Sequence, residues 1–161
     1  MLAVAGCAHK NKKPNPSVDD AGYEYRFLGP GDRELFAALA VPMLGAALPA
    51  EASARATAIE QVVRGVDIAA DGLQPGVQSQ LQQLFGLLEF PLSRSVLGGV
   101  WDGWSDASPE AVSAFLDRWR FSGISLFRSG YQALHQLVMS AWYGQNAAWA
   151  RIGYPGPPIV N

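Results

Sequence analysis

Cysteine and histidine are almost absent from this chain. Its 161 residues include one cysteine, Cys7, and two histidines, His9 and His135. A single cysteine excludes a disulfide bond or a cysteine-based metal site within one chain. Two histidines are too few for a zinc centre, and no nucleophilic triad is suggested around them. We therefore expect no catalytic, cofactor-binding or metal-binding residue here.

Charged side chains are also scarce. Asp, Glu, Lys and Arg make up 16% of the chain, against about 25% in typical soluble domains. The net charge is −2, and no basic stripe extends beyond Lys10, Lys12 and Lys13. Nucleic acid is therefore an improbable partner. Apolar residues make up 49% of the chain, and we expect part of this excess to face another protein.

The first 22 residues have the composition of a leader remnant followed by a tether. Positions 2–6 are apolar or small and precede Cys7, a pattern that resembles a bacterial lipoprotein cleavage site. In such proteins the cysteine becomes the lipidated first residue, so we expect lipidation and membrane attachment at Cys7. Residues 8–20 include three lysines and two prolines, as flexible tethers do. The alternative is a disordered start with a lone thiol.

Residues 23–145 are predicted to form one all-α domain, an irregular bundle of about five to six helices. Apolar residues recur at steps of three and four over 51–71 and 77–90 and again from 124 onward, which gives each helix one buried face. Residues 44–48 have no polar side chain and are expected to be buried. In the 51–71 helix, the residues expected on the outer face are Glu60, Arg64 and Asp67.

Capping residues predict where some helices begin and end. Asp32 is expected to cap the first helix, and Pro42 to kink or end it. Ser108, followed by Pro109, is expected to start a later helix. Before the first helix, alternating aromatic residues at 23–28 favour an edge strand or an extended packed segment.

Two helices are predicted to supply the aromatic part of the core. Their buried faces are expected to comprise Val112, Phe115, Leu116 and Trp119 in one helix, and Phe127, Tyr131, Leu134, Val138 and Trp142 in the other. His135 lies beside the second face and is expected to be structural or to lie at an interface. Asp102, Asp106 and Glu110 could suggest a cation site, but their spacing matches no calcium loop, which favours a solvated loop.

The last residues, 146–161, are predicted to form an extended docking arm. Three prolines and two glycines follow Trp149. Prolines exclude a continuous helix and favour a stiff, polyproline-like segment. Because such an arm has little of its own domain left to pack against, we expect it to lie on a partner.

Several segments together resemble the small subunits of bacterial flavin-dependent sugar and polyol dehydrogenase complexes, including that of membrane-bound sorbitol dehydrogenase. The resemblance covers most of the chain and is strongest in residues 115–122, 130–134, 141–144 and 149–158. It implies a non-catalytic partner of a large subunit of the glucose–methanol–choline oxidoreductase class. In that family the large subunit holds the FAD and oxidises the substrate, and a cytochrome c subunit often receives the electrons.

The resemblance also implies a role and a location. Small subunits of this family support folding, maturation and export of the large subunit, which places this chain in the periplasm. Many relatives carry a twin-arginine leader, whereas no paired arginine occurs near this N-terminus. The implied role in complex formation therefore has more support than the implied role in export.

Partner contacts are expected from aromatic, arginine and arm residues, which often dominate binding energy. The predicted contact residues are Arg120, Tyr131, Trp142, Tyr143, Trp149, Ile152, Tyr154, Pro155, Gly156 and Pro157. For Tyr131 and Trp142 a place in the core is the alternative, because they share a helix face with Leu134 and Val138. Two other functions stay open: a free-standing envelope lipoprotein that binds a ligand or protein, and an independent enzyme using His135 or the acidic residues near 102–110.

Overall fold

The computed structural model of the chain describes residues 22–145, and this part is built from helices without a strand. The helices are α1 (Pro30–Leu44), α2 (Ala52–Asp71), α3 (Pro75–Glu89), α4 (Pro91–Ser93), α5 (Pro109–Arg120) and α6 (Ser125–Tyr143). A short 3₁₀ turn follows α1 at Gly45–Ala47, and a π-helical turn, Arg94–Gly98, continues α4. The predicted all-α bundle is confirmed. The N-terminal tether up to residue 21 and the predicted arm 146–161 lie outside the described residues.

The predicted helix start is right at α5 and three residues late at α1. Ser108 caps α5, since its hydroxyl accepts the Ala111 N–H at 3.2 Å. In α1 the first helical residue is Pro30, so Asp32 is not the capping residue. Its carboxylate instead accepts the Gly29 N–H at 2.8 Å from inside the first turn, where an acidic group also favours the positive end of the helix dipole.

The sharp turn after α1 differs from expectation in two ways. Pro42 lies inside the last turn of α1, which ends at Leu44. The next residue, Gly45, adopts a φ of +48°. The segment 44–48 is only partly buried: Leu44 and Leu48 lie in the core, whereas the three small residues between them are exposed. The small residues form the turn itself, and α2 leaves at 120° to the preceding helix.

The closest helix contact joins α2 to α6, which share the most extensive interface in the bundle. A Cβ atom placed on Gly65 would lie 2.9 Å from the Ala141 Cβ and 3.1 Å from its Cα. Such distances are too short for real Cβ atoms, so the two backbones can approach this closely only because position 65 has no side chain. Val62 and Val66 on α2 and Val138 on α6 complete the buried seam.

An aromatic row connects α5 to its neighbours in the core. Neighbouring ring centroids are 5.4 Å apart for Trp104 and Phe115, 4.9 Å for Phe115 and Trp119, and 5.2 Å for Trp119 and Phe127. Such pairs contribute roughly 0.5–1.5 kcal/mol each beyond their area burial. The Trp104 indole N–H also donates to the Leu88 carbonyl at 2.9 Å, which ties the loop before α5 to the end of α3. The predicted core positions of α5 are therefore confirmed.

Asp67 is buried, which corrects the expectation that it lies on the outer face of α2. Its side chain has no solvent exposure. One carboxylate oxygen accepts the N–H groups of Phe27 and Leu28 at 2.9 and 2.8 Å. The other accepts the Arg26 N–H at 3.1 Å and the Tyr23 hydroxyl at 2.9 Å. The segment 23–28 is therefore not an edge strand: its backbone bends at Arg26 and Phe27, so that consecutive N–H groups point at one carboxylate, and Asp67 supplies the acceptors that these buried groups need.

These hydrogen bonds set the protonation state of Asp67. Burial alone would raise the pKa of its carboxyl, but the N–H groups of Leu28, Arg26 and Phe27 and the Tyr23 hydroxyl together outweigh it and lower the pKa below the ordinary value. Burial and the hydrogen bond to Asp67 also raise the pKa of Tyr23 to about 12. At neutral pH Asp67 is therefore ionised and Tyr23 is protonated, so the Tyr23 hydroxyl donates to the carboxylate.

We predict that Asp67→Asn lowers the free energy of unfolding by about 3 kcal/mol at pH 7, because one carboxylate oxygen with its charge is replaced by a donor facing buried N–H groups. Because the pKa of Asp67 is lower in the folded than in the unfolded chain, its ionised carboxylate stabilises the fold at pH values above the ordinary pKa of about 3.9. This stabilisation is lost as the pH falls through the lower pKa of the folded state. Urea unfolding between neutral and acidic pH should therefore show a steeper acid loss in the wild type than in the variant. Tyr23→Phe, which removes one of the donors, should cost only about 1 kcal/mol. Equal acid sensitivity of wild type and Asp67→Asn would contradict this assignment.

We predict that Gly65→Ala lowers the free energy of unfolding by about 1–3 kcal/mol, because the added methyl forces α2 away from α6. The matched control is Gly86→Ala in α3, where a new Cβ would meet nothing within 4 Å. Alanine is the better helix former, so the control should be neutral or stabilising by roughly 0.5–1 kcal/mol. Urea unfolding of both variants separates the steric effect at position 65 from the helix propensity of alanine. A Gly65→Ala variant as stable as the wild type would show that α2 and α6 can move apart at no cost.

Candidate docking surface

A groove of about 450 Å³ runs between α3 and α6, above Trp119 of α5. We call it the α3–α6 groove. Its α3 wall consists of Val77, Gln80, Leu81, Gln83, Leu84 and Leu87, and its α6 wall of Leu126, Phe127, Ser129, Gly130 and Ala133. Among the described residues, no charged side chain lines it. The groove is thus apolar, with two glutamines and one serine as its polar groups.

The absence of charge extends along the whole of α3 up to its last residue. From Pro75 to Leu88 the helix contains no Asp, Glu, Lys or Arg, although its exposed positions are occupied by glutamine, serine and apolar side chains. Exposed helix faces normally carry charges, and depletion of charge is typical of the centre of a protein interface. This lack of charge is visible in the sequence, but the apolar periodicity predicted only that one face of the helix is buried.

Trp119 and Gly130 form the floor of the groove. Gly130 is buried, and a Cβ atom there would lie 2.6 Å from Cζ3 of the Trp119 indole. The missing side chain lets the indole close against α6, where it also stacks on Phe127. The floor is therefore fixed by the same packing that holds the core together.

An exposed apolar turn borders the groove where α5 passes into α6. Phe121 is 74% exposed, Ile124 56% and Leu126 69%. Leu126 belongs to both the turn and the groove wall, so the two surfaces are continuous. The residue-type pattern predicted neither Phe121 nor Leu126 as a contact residue.

Two of the predicted partner residues, Arg120 and Tyr131, lie together beside this turn. The Arg120 guanidinium carbon lies 5.1 Å from the ring centroid of Phe121 and 5.9 Å from that of Tyr131. Tyr131 in turn stacks on His135 at 5.7 Å. Since both Tyr131 and His135 are half-buried, this cluster packs along α6 and still presents Arg120 and Phe121 to solvent.

Trp142 and Tyr143, the next predicted contacts, separate at the end of α6. Trp142 is 7% exposed and lies in the core, which is the alternative given for it above: its side chain fills space among the helices and leaves little surface for a partner. Tyr143 is 53% exposed. The remaining predicted sites lie outside the described residues: Cys7, Trp149, Ile152, Tyr154, Pro155, Gly156 and Pro157.

A second group of exposed apolar residues surrounds α4 and the π-helical turn. Phe90, Leu92 and Val96 are each at least 60% exposed, and Trp101 is 78% exposed. The backbone here is held from within, because Gly99 adopts a φ of +67° and its N–H donates to the Ser95 carbonyl at 2.9 Å. The other tryptophan of this region, Trp104, is buried in the core, in contrast to the exposed Trp101.

The acidic residues that could suggest a cation site do not form a cluster in the described part of the chain. Asp102, Asp106 and Glu110 are exposed, and no group of three or more histidine, cysteine or acidic side chains there could hold a metal ion. One carboxyl pair joins the start of α1 to the end of α3: burial raises the pKa of both Asp32 and Glu89, and the Asp32 charge raises that of Glu89 further. Gly31 has no side chain, which leaves room for the Glu89 carboxyl to lie beside it. The contact between the two carboxyls therefore follows from the packing of α1 on α3.

Within residues 22–145, no single helix is long and apolar enough to cross a membrane. The stretches Pro30–Ala47 and Ala52–Asp71 reach that length and apolar composition only as a pair, with a 120° bend between them.

Comparison with known proteins adds no relative. No family model, no curated protein and no solved structure matches the chain.

Proposed function

We propose that this chain is a non-catalytic subunit that binds and stabilises a large FAD-dependent sugar or polyol dehydrogenase subunit. The observation that carries the binding role is the α3–α6 groove, which no charged side chain among the described residues lines, together with the exposed apolar side chains of the adjoining turn. Exposed apolar surfaces of this kind mark interaction sites in soluble proteins.

The composition of the exposed surface supports a protein partner over a solvent-facing role. Phe121 and Arg120 lie in contact at the edge of the apolar turn, and aromatic residues and arginine are enriched at interfaces. A stacked pair of this type offers a large contact area with limited conformational freedom to lose. Such residues are typical binding hot spots, each costing at least about 2 kcal/mol when truncated.

The identity of the partner comes from the sequence resemblance to dehydrogenase small subunits. In this proposal the FAD and the catalytic residues belong to the large subunit, a cytochrome c subunit accepts the electrons, and Cys7 attaches the complex to a membrane in the periplasm. The arm 146–161 adds a second contact to the one made by the helical domain. A free-standing envelope lipoprotein is the alternative, and it predicts no affinity for a flavoprotein.

We predict that the full-length chain, co-expressed with a flavin-dependent sugar dehydrogenase subunit from the same genome, recovers that subunit loaded with flavin in a pull-down. A version ending at Gln145 should bind more weakly, because it lacks the predicted arm. Asp102→Asn, a change at an exposed loop position, is the control and should bind like the wild type.

Two outcomes would contradict the proposal. If the full-length chain recovers no flavoprotein, the lipoprotein alternative is favoured. If the purified chain alone reduces a dye with sugar as the electron donor, the chain is an enzyme in its own right. Equal binding by the truncated and full-length chains would leave the subunit role intact and remove the arm from the interface.

A further inference from the structure

We propose that the residues directly after Gln145 fold back onto their own domain and place the Trp149 indole in a groove between α2 and the end of α6. This groove has a volume of about 400 Å³ and is lined by residues of α2 between positions 61 and 69 and by residues between positions 140 and 145. We call it the α2–α6 groove. The inference does not depend on the proposed function, because it concerns a contact within one chain.

The α2–α6 groove lies at the point where the chain leaves the described domain. Gln145, the last described residue, is itself one of the residues that line it. Position 146 therefore starts at the rim. Four residues lead from Gln145 to Trp149, and an extended chain covers about 14 Å in four residues. The α2 wall from position 61 to 69 is about 12 Å long at a helical rise of 1.5 Å per residue, so Trp149 can reach any part of it.

Covalent attachment at the rim favours this segment over a separate apolar peptide. A separate partner loses translational and rotational freedom when it binds. The residues after Gln145 are instead held beside the groove by the chain itself, at the high effective concentration of a short linker. The entropy cost of closing a loop grows with its length, and it is therefore smallest for the residues nearest to Gln145.

The groove offers an apolar surface on a rigid floor. Ile68 on its α2 side is 64% exposed, and it gains burial when an apolar side chain covers it. The floor is the contact between Gly65 and Ala141, where α2 and α6 lie closest. Because the two backbones already touch there, the groove cannot close by a further approach of the helices.

The charge of Arg64, which also lines the groove, has partners within the domain. Its guanidinium donates to the Glu60 carboxylate and lies 5.2 Å from the ring centroid of Tyr23. An occupant of the groove therefore needs no carboxylate of its own to neutralise Arg64.

The sequence after Gln145 matches this surface. Positions 147–150 read Ala-Ala-Trp-Ala, without a charge and ahead of the three prolines of the arm. The alanines let the backbone come close to the helices, while the indole supplies a large apolar contact area. The N-terminal tether is a poorer match, because residues 8–20 include three lysines and two prolines.

The side chain of Gln145 provides a separate reason for the fold-back. Its amide nitrogen is shielded from solvent and has no hydrogen-bond partner in the described part of the chain. Buried donors are nearly always paired in folded proteins. A chain that turns back into the groove can bring one of its backbone carbonyls to this amide.

The inference divides the predicted arm into two parts. Trp149, expected above as a partner contact, packs on its own domain, whereas Tyr154, Pro155 and Pro157 remain available to a partner. The second part then leaves the domain from a fixed point, which reduces the conformational freedom that it loses on binding.

A double-mutant cycle on the full-length chain tests the contact. Ile68→Ala and Trp149→Ala should each lower the urea midpoint by roughly 0.5 M. The double variant should show less than the sum of the two shifts, because either substitution alone already removes the contact. Leu126→Ala is the matched control: Leu126 is 69% exposed, similar to Ile68, but lines the α3–α6 groove. Its shift should add to that of Trp149→Ala. Additive shifts for Ile68→Ala, or coupling to Leu126→Ala in its place, would overturn the inference.

Photo-crosslinking gives a readout that does not depend on stability. With p-benzoylphenylalanine at position 68, irradiation of the isolated full-length chain should give a crosslink to residues 146–152 within one molecule, mapped by mass spectrometry. The same residue at position 126 should give no such crosslink. A product of position 68 with the tether or with a second copy of the chain, or no product, would contradict the fold-back. Since both measurements use the isolated chain, their failure leaves the subunit role intact, and failure of the pull-down leaves this contact intact.

Discussion

The buried carboxylate of Asp67 is the interaction on which the N-terminal half of the bundle depends. A charge without solvent contact costs several kcal/mol unless donors surround it, and here four donors from the segment 23–28 do so. The same contacts satisfy three consecutive backbone N–H groups that have no strand partner. Leu28 is thereby fixed in the core, and Phe27 is brought to 6.2 Å from the Phe85 ring of α3. Since Phe85 also packs on Phe36 of α1 at 5.1 Å, Asp67 indirectly helps to position the helix that forms one wall of the groove.

The helices and their buried faces could be predicted from the sequence because both follow from local rules. Ser108 caps α5 as any serine in that pattern can, and the apolar spacing of α5 fixes which side faces inward. Asp67 could not be placed by those rules, because spacing alone assigns a carboxylate to the outer face. Its burial depends on donors some 40 residues earlier in the chain, a tertiary contact that no local pattern contains.

The candidate surface was missed for a related reason. Periodicity shows that one face of α3 is apolar, but it does not show whether another helix covers that face. Phe85 and Leu88 are buried, while Leu84, one turn away, remains half-exposed beside the groove. Conversely, the aromatic residues expected at an interface are divided between two places, since Trp142 lies in the core whereas Tyr143 is 53% exposed. Phe121, which was not predicted as a contact, is 74% exposed. The missing charges of α3 set this helix apart in the sequence, but they are missing from all of its faces and do not show which one is uncovered.

Trp119 links the stability of the bundle to the shape of the groove. It is the third ring of the row that runs from Trp104 to Phe127, and the same indole closes over Gly130 to make the floor. The floor therefore cannot rearrange without disturbing the row, whose packing resists changes of even one methylene. A surface held in this way loses little conformational freedom when a partner binds, so more of the gain from burying apolar area is retained as affinity. The apolar side chains of the turn around Phe121, by contrast, lie outside the core. The candidate surface therefore combines a floor fixed by core packing with exposed apolar side chains at its edge.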